Sequence, residues 1–223
     1  VEESLRVFES MLTEDERRRL DGLDSPTSIQ EFLDAIPYPS DTRKNRSPLT
    51  VLRERTAHCL DGALFAALAL RRLGYPPLIV QLWPEPGTDD DHVLAIYWQQ
   101  GCVGSVAKSN FVGLRARPPV YRGLRELVMS YFNDFYNVAG RMTLRAYTRP
   151  LNLAAYDRLG WMWADAGANA IEHRLYGLAR NAVISAGQAA GLPPVDELTF
   201  RAGLMVANRE GLFKPGQSVK AAS

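Results

Sequence analysis

The stretch CLDGALFAALALRRLGY (Cys59–Tyr75), followed by PPLIVQLW (Pro76–Trp83), decides the fold. Its first fourteen residues are rich in alanine and leucine, the best helix formers. Arg71 and Arg72 stand in the last turn, where cations complement the helix dipole, and Gly74 supplies the cap. Apolar side chains run all round this helix, so it belongs at the centre of the molecule. Pro76 and Pro77 stop it. The pattern then changes to β-branched and aromatic runs, Pro77–Trp83, His92–Trp98 and Cys102–Lys108, which read as three strands of one antiparallel sheet. The acidic Pro and Gly loop PEPGTDDD separates the first two, and Gln99, Gln100 and Gly101 turn tightly between the last two. A buried helix on an antiparallel sheet defines an α+β fold.

Working outward, helix starts are expected at Thr13 with Glu16, at Thr27 with Gln30, and at Ser47 with Pro48. The two prolines and basic residues of Ile36–Arg46 mark a loop. After Pro118 and Pro119, the spacing of Leu124, Leu127, Val128, Tyr131, Phe132 and Phe135 predicts a helix, and Thr143–Arg149 a returning strand. From Ala154 the pattern is helical again, interrupted over Gly187–Pro194. Trp161 and Trp163, two apart on such a helix, would face different sides. The organisation expected is a helical layer over 1–55, a core over 56–150 and a helical extension over 151–223, one compact domain overall. The final KPGQSVKAAS, from Lys214, should fray.

With 223 residues, 46% hydrophobic and 23% charged, the chain has the composition of a folded globule. Lysine and arginine number 26 against 25 acids, so no bulk field favours nucleic acid or an anionic membrane. The longest apolar run ends at Arg71, short of the roughly 20 residues needed to span a bilayer. The opening VEESLRVFES lacks the basic and apolar regions of a leader, and two cysteines fit reduced thiols in the cytoplasm. Their number and spacing, with three histidines, predict no metal and no cofactor.

Cys59 opens the central helix, where unpaired N–H groups and the dipole favour thiolate. Among the histidines, His58 is its chain neighbour and points elsewhere, His173 lies in a solvated EHRLYG segment, and His92 heads a strand. His92 is the candidate base. A hairpin turning at 99–101 pairs residues whose numbers sum to about 200–202. His92 then faces Lys108, Ser109 or Asn110. Lysine cannot accept an imidazole N–H, whereas Asn110 and Ser109 can. Cys102, on a strand without a histidine partner, reads as a structural thiol. The cluster Arg43, Lys44, Arg46, Arg53 and Arg55 precedes Cys59 and would attract an anionic group on a substrate, or else forms a solvated face.

The ordered segments TAHCLDGALFAALALRRLGYPPLIVQLW, DDDHVLAIYW and GCVGSVAKSN resemble the catalytic core of the transglutaminase-like superfamily, with its papain-like fold. The resemblance spans Arg53–Asn110. It implies a cysteine on the central helix and a histidine heading the second strand, matched by Cys59 and His92, and acyl transfer through a thioester. Peptide, amide or acyl compounds would be the substrates, with hydrolysis or transfer to an amine as the outcome. The family's aspartate on the third strand has no counterpart in the hairpin. The alternative on the same frame is therefore a catalytically inactive binding or scaffold protein.

Overall fold

Hydroxyl caps set the helical layer. The Thr13 hydroxyl accepts the Glu16 N–H while the Glu16 carboxylate accepts the Thr13 N–H, starting α2 (Glu14–Asp21) behind α1 (Glu2–Ser10). α3 (Pro26–Asp34) begins earlier than the Thr27 and Gln30 pair predicts, because Ser25 caps it and Pro26 takes the first turn. α4 (Pro48–Glu54) starts at the expected Ser47 cap, and α5 (Cys59–Arg72) at His58. α5 stops where Gly74 adopts a φ of +90°. These statements concern residues 2–41 and 44–213, which the computed structural model describes. The tail from Lys214, expected to fray, and Arg43 lie outside them.

Among the described residues the protein is α+β, with a seven-stranded antiparallel sheet. Its strands are β1 (Leu78–Pro84), β2 (His92–Gln99), β3 (Cys102–Val106), β4 (Arg117–Tyr121), β5 (Leu144–Thr148), β6 (Leu151–Asn152) and β7 (Arg180–Ala182). The order is β4-β3-β2-β1-β5-β7, with β6 beside β1. β4 carries Pro118 and Pro119, which the sequence pattern passed over as a break and which an edge strand tolerates. The predicted helix after them is short: α6 (Leu124–Met129) gives way to a 3-10 turn at Phe132–Asp134. The 151–223 region contains a 3-10 segment at Leu153–Leu159, α7 (Asp165–Tyr176), α8 (Ala186–Ala190) and α9 (Glu197–Gly203). It is not purely helical, since it also supplies β6 and β7. Trp161 and Trp163 lie between the 3-10 segment and α7 rather than within a helix.

The two faces of the sheet bury separate cores. Ile79, Val93, Ala95 and Tyr97 pack with Leu64, Phe65 and Leu68 of α5 and with the N-terminal helices. Val80, Leu82, Leu94 and Ile96 pack on the other side with Leu127, Val128 and Tyr131. α5 is covered all round, as its composition predicts, with Ala63 through Leu68 wholly buried. β2 and β3 pair in a register whose partner numbers sum to 201, from Ala95 opposite Val106 to Gln99 opposite Cys102. β3 ends at Val106 because α3 takes over its backbone. The Gln30 carboxamide bonds both the N–H and the carbonyl of Ala107, each at 3.0 Å. Lys108 then donates to the Leu33 and Ile36 carbonyls at the end of α3. The start of β2 is thereby left without a β3 neighbour, and the N-terminus of α5 fills that gap.

Candidate active site

Cys59 meets β2 at this open end. Its sulfur accepts the Val93 N–H and lies 3.8 Å from the Asp91 carbonyl oxygen, the residues on either side of His92. His92 is buried, and its Nε2 lies 2.8 Å from the Leu114 carbonyl. A carbonyl only accepts, so Nε2 carries the proton and Nδ1 keeps its lone pair in the neutral ring. Cys59 and His92 line one cavity of about 50 Å³ with Tyr38, Asp89, Asp90, Asp91, Ser109, Asn110 and a set of apolar residues.

The sequence-predicted acceptors for His92 are both on this cavity, yet neither bonds the imidazole. Asn110 instead pairs through both ends of its carboxamide with the main chain of Asn208, and the Ser109 hydroxyl accepts the Phe111 N–H at 3.0 Å. The capture of Ala107 and Lys108 by α3 explains this, since the chain has left the sheet before it reaches Ser109. Leu114, a main-chain acceptor, takes the role. Its side chain gives no sequence signal for that.

Alternation along β2 adds a second feature. Val93, Ala95 and Tyr97 face α5, so His92 shares the opposite face with Leu94 and Ile96. The imidazole thus lies on the face of β2 away from the helix that carries the thiol, and the two groups share the cavity at the end of the strand.

The electrostatics keep both groups neutral at rest. Burial pushes the Cys59 thiol well up, and the Asp91, Asp90 and Asp61 carboxylates push the same way against the Val93 N–H. Burial also pulls His92 down to about 4; the bond to Leu114 opposes this and the Arg117 charge adds to it. Asp91 is itself raised by burial, although Gln81 and Tyr176 hydrogen-bond its carboxyl at 2.7 and 3.1 Å. Among the described residues of the basic cluster, none lines the cavity. Lys44 and Arg46 pair with Glu54, Arg46 also with Asp61, Arg53 with Glu16, and Arg55 covers the Phe32 ring. The expected attraction for an anion is thus spent internally, and Asp89, Asp90 and Asp91 give the cavity acidic walls.

His58 is used as the cap of α5, its Nδ1 accepting the Leu60 N–H at 3.2 Å. The Cys59 N–H is directed at the Tyr38 hydroxyl. Tyr38 is a site residue that sequence reasoning missed, because it lies in a loop before any motif. Cys102 opens β3 opposite Gln99, and His173 is exposed on α7. No group of three or more His, Cys, Asp or Glu side chains suited to a metal ion occurs among the described residues, and no helix among them is long and apolar enough to cross a membrane.

No family model matches the chain, and no curated protein sequence matches it. Among solved structures, it is similar to two of Legionella pneumophila LapG, one of them EGTA-treated. Each shows a TM-score of 0.34 and 16% identity, covering 48% of this chain and 69% of the other. An overlap of that depth assigns neither an activity nor a site residue.

Proposed function

We propose that this protein is a cysteine-dependent acyl-transfer enzyme of transglutaminase-like type, working through Cys59 and His92 in the cytoplasm, where both thiols stay reduced. The observation that carries the reading is the seat of the Cys59 sulfur between Asp91 and Val93, on the same cavity as the His92 imidazole, whose bond to Leu114 leaves Nδ1 as the base. Sγ attacks the carbonyl carbon of an amide or peptide bond as its proton passes to Nδ1. The C–N bond then breaks, and Nδ1 returns that proton to the leaving amine. Water or a second amine attacks the thioester, giving up its proton to His92 and restoring the thiol. N–H groups at the start of α5 stabilise the oxyanion once Tyr38 yields the Cys59 N–H. Asn110 and Ser109 serve as cavity walls. The acidic surroundings favour neutral or cationic groups on the substrate over anionic ones.

The position of His92 on the face away from α5 favours the second reading, a catalytically inactive binding or scaffold protein. A small activated ester separates the two. Incubation with p-nitrophenyl acetate, followed by peptide mass spectrometry, should show acetyl on Cys59. His92→Ala should slow that acylation by about 10²-fold or more, the usual worth of a general base. Acetyl confined to surface lysines, or a Cys59 rate indifferent to His92, establishes the inactive reading.

A further inference from the structure

A cavity of about 50 Å³ is too small for the acyl substrate of any such enzyme, since ligand sites run to about 300–1,000 Å³. Part of the surrounding wall is supplied by the chain that follows α9. Gly211, Leu212 and Phe213 form one wall of the cavity, reached from α9 through a 3-10 turn at Arg209–Gly211. Asn208 anchors that turn at three points. Its N–H donates to Asn110 Oδ1 at 2.8 Å, its carbonyl accepts from Asn110 Nδ2 at 2.8 Å, and its own Nδ2 donates to the Tyr38 carbonyl at 2.9 Å. A carboxamide that bonds both main-chain groups of one residue reads a polypeptide backbone, whatever its side chain. Beyond this clamp, Gly211 passes so close to the Pro39 carbonyl that a Cβ would stand 2.6 Å from it. Half-buried Leu212 and Phe213 then line the cavity together with Phe111, Leu114, Phe135 and Tyr136. The segment is thus held as a bound peptide is held, by a main-chain grip, a tight passage and an apolar end.

The geometry points to Asn208–Phe213 as an intramolecular peptide ligand: it closes the Cys59 cleft at rest and occupies the place of a polypeptide substrate gripped by Asn110. The substrate's place rests on the acyl-transfer reading, and the closure on the contacts alone. Release of the segment frees Asn110 and loosens Tyr38, so that cleft opening and exposure of the Cys59 N–H accompany each other. An incoming chain must compete with a tethered one whose effective concentration is on the order of millimolar.

The test uses the full chain and the rate of Cys59 alkylation by iodoacetamide at about pH 9, where a solvent-exposed thiol is largely thiolate without an acid–base partner while the resting Cys59 is held protonated by its surroundings. Gly211→Val jams the passage at Pro39, and Asn208→Ala removes the Tyr38 anchor. Both should raise the Cys59 rate, Gly211→Val at least tenfold, while Cys102 stays within twofold of the parent. The synthetic hexapeptide NREGLF at about 5 mM, comparable to the tethered effective concentration, should then slow Cys59 labelling in Gly211→Val at least threefold, and NREVLF should not. Unchanged Cys59 rates in both variants, Cys59 and Cys102 accelerating together, or no difference between the peptides overturns the proposal. Failure of the catalytic reading appears elsewhere, in acetylation that ignores His92, and leaves these labelling rates as they are.

Discussion

The proton on His92 is placed by a main-chain carbonyl rather than by a carboxylate, and this sets how the imidazole titrates. A carboxylate partner would favour imidazolium, whereas a neutral acceptor in a buried setting leaves desolvation in charge. The folded value of about 4 lies below the roughly 6.5 of an unfolded histidine, so the folded chain binds fewer protons in between. Stability contributed by neutral His92 is therefore complete above about pH 6.5 and is withdrawn as pH falls toward 4. The His92 ring resonance in an NMR titration should hold its neutral position until close to pH 4. A midpoint above about 6 would mean a solvated ring, incompatible with the bond to Leu114. In the enzyme reading, the same neutrality makes His92 a base that takes the thiol proton during attack, instead of a cation holding a ready-made thiolate.

At the scale of elements, α5 is fastened at its first turn by Asp61, which is wholly buried and accepts the N–H groups of Arg46 and His58 together with the Arg46 guanidinium. Burial nonetheless wins, raising Asp61 to about 7. Its contribution to stability is complete below the unfolded value near 3.9 and is lost as pH rises through about 7, the reverse of His92. Asp61→Asn turns an amide donor toward one of those N–H groups, and should cost about 1–3 kcal/mol. Urea midpoints at pH 5 and pH 8 should differ less in the variant than in the parent; equal differences would show that Asp61 does not titrate there. One residue on, Gly62 lets the Lys108 stem press against the helix, and a Cβ built at Gly62 would overlap Lys108 Cβ. Gly62→Ala gains up to about 1 kcal/mol of helix propensity. Overpacking a buried contact costs about 1–3 kcal/mol, so denaturant unfolding should show net destabilisation. This junction also marks what the sequence could reveal. The central helix, the three strands and a register sum of about 200–202, which the structure fixes at 201, follow from local patterns in Cys59–Val106. The departure of the chain at Ala107 does not, because it depends on Gln30, which is 77 residues away and whose spacing from Thr27 suggests only a helix cap. The same holds for Leu114 and Asn208, whose roles come from backbone groups that long-range packing brings to the site.

Across the whole molecule, one sheet separates two cores, and C-terminal segments tie into the N-terminal layer. Asp165 accepts the Ser47 N–H and the Thr50 hydroxyl, Asn45 bonds Asn169 and Glu172, and Arg71 meets Asp157 through two bonds of 2.7 Å. Trp161, Ile171 and Leu175 fill the same core as α5, while Val183 joins the core on the opposite face. A boundary near residue 150 would leave those apolar surfaces exposed on both sides, at roughly 25 cal/mol for each Å². Folding should therefore be a single cooperative event rather than the sum of an N-terminal and a C-terminal unit. Leu68 and Leu94 test this from opposite faces, both wholly buried. Truncating either to alanine should cost about 2–5 kcal/mol. The decisive readout is calorimetric: each variant should shift the same lone transition, with the van't Hoff enthalpy equal to the measured one. Two transitions, one moved by Leu68→Ala and the other by Leu94→Ala, would mean that the faces of the sheet melt independently.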